Sequence, residues 1–258
     1  MNNVKLDITD EHIGILTIDR PDSYNALSNS LLNEINDSIE KIEGNDNLRV
    51  LIVTGSGKAF CAGADLKERK NMNEQQVLAA VTYIKETINK LESLRIPTIA
   101  AINGAAFGGG LELALACDIR LASHQAKMGL TETSLGIIPG AGGTQRLSRL
   151  IGIGKSKYLI YTAKRLTSFE ALEYGILEKV VDAEELNDVT LEIARTIAQN
   201  GPIAVQQAKK AIQQGFNIDL PKALEIEMAC YKQTIPTEDR YEGIRAFQEK
   251  RKPIYKGK

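Results

Sequence analysis

The chain has 258 residues, enough to bury one sizeable hydrophobic core. Its 32 basic and 33 acidic residues give a formal net charge of -1 without a long run of like charge, so composition provides no general attraction for nucleic acid or a membrane surface. The three cysteines, Cys61, Cys117 and Cys230, are far apart and form no CxxC pair, which argues against a disulfide framework and a zinc cluster.

The opening residues contain no apolar stretch of signal-peptide length. The most apolar region, residues 96–119, is interrupted by Pro97, by glycines, and by Glu112 and Asp118, which argues against a membrane span. The sequence therefore predicts a soluble, cytoplasmic protein.

Two short strands, residues 4–9 and 13–19, are predicted at the start of the chain, on either side of a polar turn. Apolar residues at helical spacing then predict a helix over residues 31–42, with Ser28 or Ser30 as its N-cap and Gly44 as its end. The chain thus opens with a hairpin followed by an amphipathic helix.

Alternating strands and helices are predicted in the middle of the chain. Apolar, β-branched runs predict buried strands at 50–54 and 98–102, with a helix over 74–94 between them. A short buried helix over 111–117 leads into a strand over 118–122. This alternation predicts an α/β core.

The last third, from Gly154 onward, has an almost wholly helical pattern. Thr167 to Glu170 form a capping box, and Pro202 suits the first position of a helix. Helices are also predicted over 220–233 and 238–250. The C-terminal third is therefore predicted to form a helical layer.

The glycine-rich segments exclude some familiar motifs. The segment at 55–58 lacks the rest of a phosphate loop, because Ile52 and Ala59 stand where Gly and Ser or Thr are needed. Neither GxGxxG after a strand nor GxSxG is present. Gly108 to Gly110 precede a predicted helix, so their N–H groups suit an anion or a developing oxyanion, although tight helix–strand packing would also explain glycine here.

Two glutamates are candidate acid–base groups. Glu112 lies in an otherwise apolar segment, where a buried carboxylate needs a task or a partner, although an acid that satisfies a helix dipole is the alternative. Glu132 comes just before the loop at 136–143, and taken alone it is typical of a surface acid or a helix cap. Two carboxylates that face one pocket can divide acid and base roles, but the spacing alone does not bring them together.

Three segments resemble the successive signatures of the enoyl-CoA hydratase (crotonase) family: FCAGADL at 60–66, NGAAFGGGLEL at 103–113 and IPGAGGTQRL at 138–147. The resemblance covers nearly the whole chain. It implies an α/β fold in which residues 1–195 form the crotonase (ClpP-like) spiral of ββα units with the CoA thioester site. Residues 196–258 would form a C-terminal helical trimerisation region, in a homotrimer or a homohexamer.

The resemblance also implies roles for individual residues. The thioester oxygen would lie between the backbone N–H groups of Ala64 and Gly109. Glu112 would act as base toward a water molecule, and Glu132 would deliver a proton to the α-carbon. The implied reaction is the syn addition of water across the 2,3 double bond of a trans-2-enoyl-CoA, which gives a 3-hydroxyacyl-CoA in fatty-acid or branched-chain amino-acid breakdown. The resemblance implies no metal or redox cofactor. Coenzyme A is carried as part of the substrate.

Recognition of coenzyme A is implied for two further groups of residues. The first supplies backbone contacts and consists of Ala62, Ala64, Asp65, Leu66 and Lys67. The second, Phe247 and Lys250, would meet the adenine and the 3′-phosphate, often from a neighbouring subunit, although Lys250 is equally typical of a solvated lysine. Asp22-Ser23 stand where relatives often carry a basic residue, so phosphate contacts are not carried over to that loop.

Several alternatives remain within this family. Segments 61–69, 110–120 and 229–237 resemble the methylglutaconyl-CoA hydratase branch, which makes a branched, acidic acyl group a candidate. An enoyl-CoA isomerase is the nearest other enzyme, although isomerases of the family typically lack an acid at the position of Glu112. A non-catalytic crotonase-fold binding protein is a further alternative. Some members of that branch bind RNA through lysines on an early helix, but this property is not carried over, because residues 30–47 contain one lysine among five acids.

Overall fold

The computed structural model describes residues 3–258. The ten strands within that range are β1 (Val4–Ile8), β2 (Ile13–Ile18), β3 (Val50–Gly55), β4 (Ala59–Cys61), β5 (Thr98–Ile102), β6 (Ala105–Phe107), β7 (Ile119–Ser123), β8 (Lys127–Gly129), β9 (Leu166–Thr167) and β10 (Lys179–Val181). The eleven α-helices of the same range are α1 (Asn29–Glu43), α2 (Leu66–Arg69), α3 (Glu74–Ser93), α4 (Gly109–Ala116), α5 (Gly143–Ile151), α6 (Ile153–Tyr161), α7 (Ser168–Tyr174), α8 (Leu186–Ala198), α9 (Pro202–Gly215), α10 (Leu220–Thr234) and α11 (Glu238–Gln248).

The strands form two mixed sheets. The larger has the order β1-β2-β3-β5-β7-β10 and is parallel except for the β1–β2 hairpin. The smaller has the order β4-β6-β8-β9, and only its β8–β9 pair is antiparallel. Successive strand pairs, β3 with β4, β5 with β6 and β7 with β8, therefore add one strand to each sheet, which is the repeating turn of a spiral.

Both faces of the larger sheet are covered. One face packs on the main core through side chains such as Leu51 and Val53, and the other packs on α8 through Ile52 and Ile99. Parallel strands that are buried on both faces have continuous apolar sequences, and this is why β3 and β5 could be recognised as short β-branched runs.

The predicted hairpin, the long helices and the two buried strands are confirmed. Ser28, rather than Ser30, caps α1 by accepting a hydrogen bond from the Leu31 N–H, and Thr167 forms the predicted capping box of α7. The prediction was incomplete in the last third, where β9 and β10 interrupt the helical pattern. The short strands β4, β6 and β8 were also missed, and with β9 they make up the second sheet.

Helix α9 makes buried polar contacts with the segments that lead into β5 and β7. Lys209 of α9 is buried, and its Nζ lies 2.8 Å from Asp118 Oδ2 and donates to the Ile96 carbonyl at 2.9 Å. The predicted division between residues 195 and 196 falls within α8, and it stays a prediction, as does trimerisation through the helical region. No helix of residues 3–258 combines the length and the apolar character needed to cross a membrane.

Candidate active site

The three signature segments meet at one cleft with a volume of about 120 Å³. Ala62 and Ala64 line it from the segment before α2, Gly108 and Gly109 line it from the start of α4, and Glu132 lines it from a short 3-10 helix. Segments that are far apart in sequence therefore share one surface because the spiral stacks successive turns beside each other.

Glu112 lies on the first turn of α4 and is 3% exposed. Its Oε1 accepts hydrogen bonds from the backbone N–H groups of Ala141 (2.7 Å) and Gly143 (2.8 Å). Gly143 begins α5, so the carboxylate lies at the positive end of that helix. Burial raises the pKa of Glu112, and the two backbone N–H groups and the charges of Arg146 and Arg69 oppose the rise.

Glu132 begins the 3-10 helix Glu132–Leu135 and lies partly buried in the cleft. Burial raises the pKa of its carboxyl to about 7, and the negative charge of Glu112 adds to the rise. Its Oε2 is buried and has no hydrogen-bond partner within the described part of the chain. The two carboxyl groups therefore differ in environment, because Glu112 is held by two backbone donors, whereas Oε2 of Glu132 has no hydrogen-bond partner among the described residues.

Two backbone N–H groups of the cleft, those of Ala64 and Gly109, are free of turn, loop and cap hydrogen bonds within residues 3–258. Ala64 forms an isolated parallel bridge with Leu27, in which the Gly63 carbonyl and the Asp65 N–H make the hydrogen bonds to Leu27. Because neighbouring N–H groups of an extended chain point in opposite directions, the Ala64 N–H faces away from Leu27. Gly109 is the first residue of α4, where helical N–H groups have no partner within the helix.

The glycine run Gly108–Gly110, at the start of α4, allows neighbouring groups to approach closely. A Cβ at Gly110 would overlap the carbonyl oxygen of Cys61, so this glycine permits close packing of the helix on β4. Gly108 has φ +52°, and a Cβ there would lie 3.2 Å from Glu132 Oε1. Glycine at 108 thus provides the left-handed backbone and leaves room for the carboxyl group of Glu132.

The residues expected to contact coenzyme A fall into two separate places. Ala62, Ala64 and Leu66 line the cleft, and Lys67 is exposed beside them. The Asp65 carboxylate has a structural task instead: it caps α2 by accepting from the Lys67 N–H at 3.0 Å and lies 3.3 Å from Arg20 Nη2.

Phe247 lies in the last turn of α11, and Lys250 lies two residues after the end of that helix. Neither residue lines this cleft within its own chain. Phe247 is 86% exposed. Their expected contact with the nucleotide of a CoA bound to a neighbouring copy stays a prediction.

Two arginines near Glu112 were not predicted. Arg69, at the end of α2, lines the cleft. Arg146 of α5 does not line the cleft. It donates to the Ala141 carbonyl at 2.8 Å and forms a two-point ion pair with Glu92. Arg146 lies within a signature segment, so its position was visible in the sequence, but its contact with the loop that holds Glu112 was not.

Comparison with known proteins places this chain and its fold in a family. The model of the family described as enoyl-CoA hydratase/isomerase matches residues 9–258, and the chain belongs to that family. The crystal structure of an enoyl-CoA hydratase from Bacillus anthracis matches with a TM-score of 0.98 at 52% identity, over 99% of this chain and 100% of that one. The expected α/β crotonase fold with C-terminal helices is thereby confirmed.

Two relatives show how far the similarity extends. The chain is 53% identical over 257 residues to the YngF protein of Bacillus subtilis (strain 168), with 99% of each chain covered. It is 48% identical over 250 residues to the mitochondrial methylglutaconyl-CoA hydratase of Mus musculus, which covers 95% of this chain and 80% of the relative. The chain is thus of the enoyl-CoA hydratase/isomerase type.

Proposed function

We propose that the protein is an enoyl-CoA hydratase that adds water to the 2,3 double bond of a trans-2-enoyl-CoA. The observation that carries the proposal is the pair of carboxyl groups, Glu112 and Glu132, beside one cleft and in different environments. Two carboxyl groups held in different environments can act as base and acid at the same pH.

In this mechanism the thioester oxygen lies between the N–H groups of Ala64 and Gly109. Oε1 of Glu112 is occupied by its backbone donors, so the other oxygen accepts a proton from water as the water oxygen bonds to C3. The raised pKa of Glu132 favours its protonated form, which delivers a proton to C2. The two N–H groups stabilise the negative charge that develops on the thioester oxygen.

The proton balance closes after each turnover. Glu112 has gained a proton and Glu132 has lost one, and exchange with solvent restores both.

The adenine and phosphates of coenzyme A would extend beyond the cleft, past Ala62 and Lys67, toward Phe247 and Lys250 of a neighbouring copy in a trimer or hexamer.

The test is a hydration assay with crotonyl-CoA that follows the loss of the conjugated-enoyl absorbance. Glu112→Gln and Glu132→Gln are each expected to lower kcat by about 10²–10⁴-fold, because each removes an acid–base group. Glu173→Gln is the matched control, since Glu173 is exposed on α7 away from the cleft. Near-normal rates in both cleft variants, with their circular dichroism unchanged, would refute the proposed mechanism.

Methylglutaconyl-CoA is a second candidate substrate. The 48% identity to the mouse methylglutaconyl-CoA hydratase over nearly the whole chain favours it. A comparison of kcat/KM for crotonyl-CoA and 3-methylglutaconyl-CoA ranks the two. Conversion of a 3-enoyl-CoA to its 2-enoyl isomer without hydration of either would instead identify an isomerase.

A further inference from the structure

The guanidinium group of Arg146 contacts the loop that holds Glu112. Its Nη1 donates to the Ala141 carbonyl at 2.8 Å, and the N–H group of Ala141 donates to Glu112 Oε1 at 2.7 Å. The same residue therefore meets the guanidinium through its carbonyl and the carboxylate through its N–H group. The second donor to Glu112, the Gly143 N–H, lies two residues further along this loop.

The other donors of the Arg146 guanidinium are held by α3. Nε and Nη2 donate to the two carboxylate oxygens of Glu92 at 2.9 Å and 2.6 Å, and Nη2 also donates to Oδ1 of Asn89 at 2.8 Å. The side chain of Arg146 is 13% exposed. A two-point contact with a carboxylate fixes the plane of a guanidinium, so α3 sets the direction in which Nη1 donates to the loop.

The backbone between the two donors of Glu112 leaves space for this guanidinium. Gly142 has φ +107°, and a Cβ at this position would overlap Nη1 of Arg146. Because the Arg146 N–H donates to the Gly142 carbonyl, the first turn of α5 brings the side chain back over residue 142. Glycine at 142 therefore permits both the left-handed backbone and the close approach of the guanidinium.

Ionisable groups face Glu112 from separate elements: Arg146 on α5, Arg69 on α2 and Glu132 on the 3-10 helix. Burial raises the pKa of Glu112, and its two backbone donors and the positive charges of Arg146 and Arg69 oppose the rise. Arg69 and Glu132 line the cleft, whereas Arg146 does not. Arg146 therefore acts on Glu112 without contact with a ligand in the cleft.

We propose that Arg146 is a positioning residue for the base of the reaction. It holds residues 141–143 in place relative to α3, so that both N–H groups of this loop stay directed at Oε1 of Glu112. This inference rests on the proposed hydratase function. With Oε1 held, the other oxygen of Glu112 keeps the position from which it accepts a proton from water. The alternative is that the ion pair of Arg146 with Glu92 only packs α5 on α3.

Arg146→Gln tests the proposal in the hydration of crotonyl-CoA. It is expected to lower kcat by about 10- to 100-fold, the effect of misplacing a catalytic group by about 1 Å. KM is expected to change much less, because Arg146 does not line the cleft. Loss of the positive charge raises the pKa of Glu112 further, and a base must be ionised to act. The fall of kcat/KM on the acid side is therefore expected to begin at higher pH than in the wild type.

A cavity of about 550 Å³, lined in part by Asn89, Glu92 and Arg146, allows a test by chemical rescue. Small solutes can enter the space that Arg146→Ala leaves beside this cavity. Guanidinium chloride, well below the concentrations that unfold the protein, is expected to restore part of the kcat lost in Arg146→Ala. Urea has a similar planar shape without the charge and is expected to restore none of it. An equal response to the two solutes would overturn the inference.

Arg149→Gln is the matched control, because Arg149 is an exposed arginine of the same helix whose side chain donates to Gln145 and Asn217. This variant changes the net charge equally and is expected to leave kcat and the pH profile unchanged. A normal kcat in Arg146→Gln would overturn the inference. A loss of activity in proportion to the loss of folded protein, with the acid side of the pH profile unmoved, would also overturn it and leave Arg146 a packing contact.

Amide hydrogen exchange separates this inference from the hydratase proposal, because it needs no turnover. The peptide that spans residues 138–147 is expected to exchange faster in Arg146→Gln than in the wild type, since the Ala141 and Gly143 N–H groups lose their fixed acceptor. Arg149→Gln is expected to show wild-type exchange there. If no enoyl-CoA is hydrated but this exchange rises, the hydratase proposal fails and the positioning of the carboxylate by Arg146 stands. If crotonyl-CoA is hydrated and exchange in Arg146→Gln equals that of the wild type, the positioning inference alone fails.

Discussion

Replacing Glu132 by Gln is expected to reduce the loss of folding stability that the wild type shows as pH rises, while it removes the proposed proton donor. The carboxyl group of Glu132 has its pKa raised from 4.5 to about 7 by burial and by the charge of Glu112. Between these two values the folded protein holds a proton that the unfolded chain has released. The stability of the wild type therefore falls as pH rises through this window, and the neutral amide of Gln does not share the loss.

The rise from 4.5 to about 7 corresponds to about 3 kcal/mol when the loss is complete. About 2 kcal/mol of that appears between pH about 5.5 and pH about 8.5, because part of the loss has already occurred at the lower pH. Glu132 is only partly buried, so solvent screening reduces the expected difference to about 1–2 kcal/mol. Any cost of packing the amide group itself is common to both pH values and cancels in the difference.

Urea unfolding at one protein concentration, followed by circular dichroism at both pH values, measures this effect. The free energy of unfolding of Glu132→Gln minus that of wild type should be more positive at the higher pH by the stated amount. Glu173→Gln, with its exposed side chain, is the control and should show no such change. A difference that is the same at both pH values would show that Glu132 is not held in a desolvated environment.

Two further outcomes are expected. For the hydration of crotonyl-CoA, kcat/KM should fall as pH rises above about 7, because the proposed acid Glu132 loses its proton there. A constant kcat/KM from pH about 6 to pH about 9 would contradict the role of Glu132 as acid. Lys209→Met should lower the free energy of unfolding by about 3 kcal/mol, because it leaves Asp118 without its buried partner. This value is the lower end of the usual cost of breaking a buried ion pair, since Asp118 is partly exposed. An unchanged urea midpoint would show that this ion pair does not stabilise the attachment of α9 to the sheet.

The agreement between sequence and structure varies with the length of each element. Helix α1 was predicted within two residues at its N-terminus, because its apolar side chains recur at helical spacing between Ser28 and Gly44. Strands β4, β6 and β8 contain three residues each, too few for any periodic pattern, and their pairing depends on which turns of the spiral lie side by side. Helix α4 begins at Gly109, two residues before its predicted start. The prediction left out these two glycines because glycine has a low helix propensity.

The sequence by itself determined the family and the α/β class, and it predicted the two glutamates as the acid–base pair, because these depend on local patterns and on motifs that can be read in order. Only the tertiary structure decided what surrounds each glutamate. The hydrogen bonds from Ala141 and Gly143 to Glu112 join residues 29 and 31 positions apart, and the half-buried guanidinium of Arg69 reaches the cleft from a separate helix. Desolvation and distance set these effects, and both arise only when the turns of the spiral pack together.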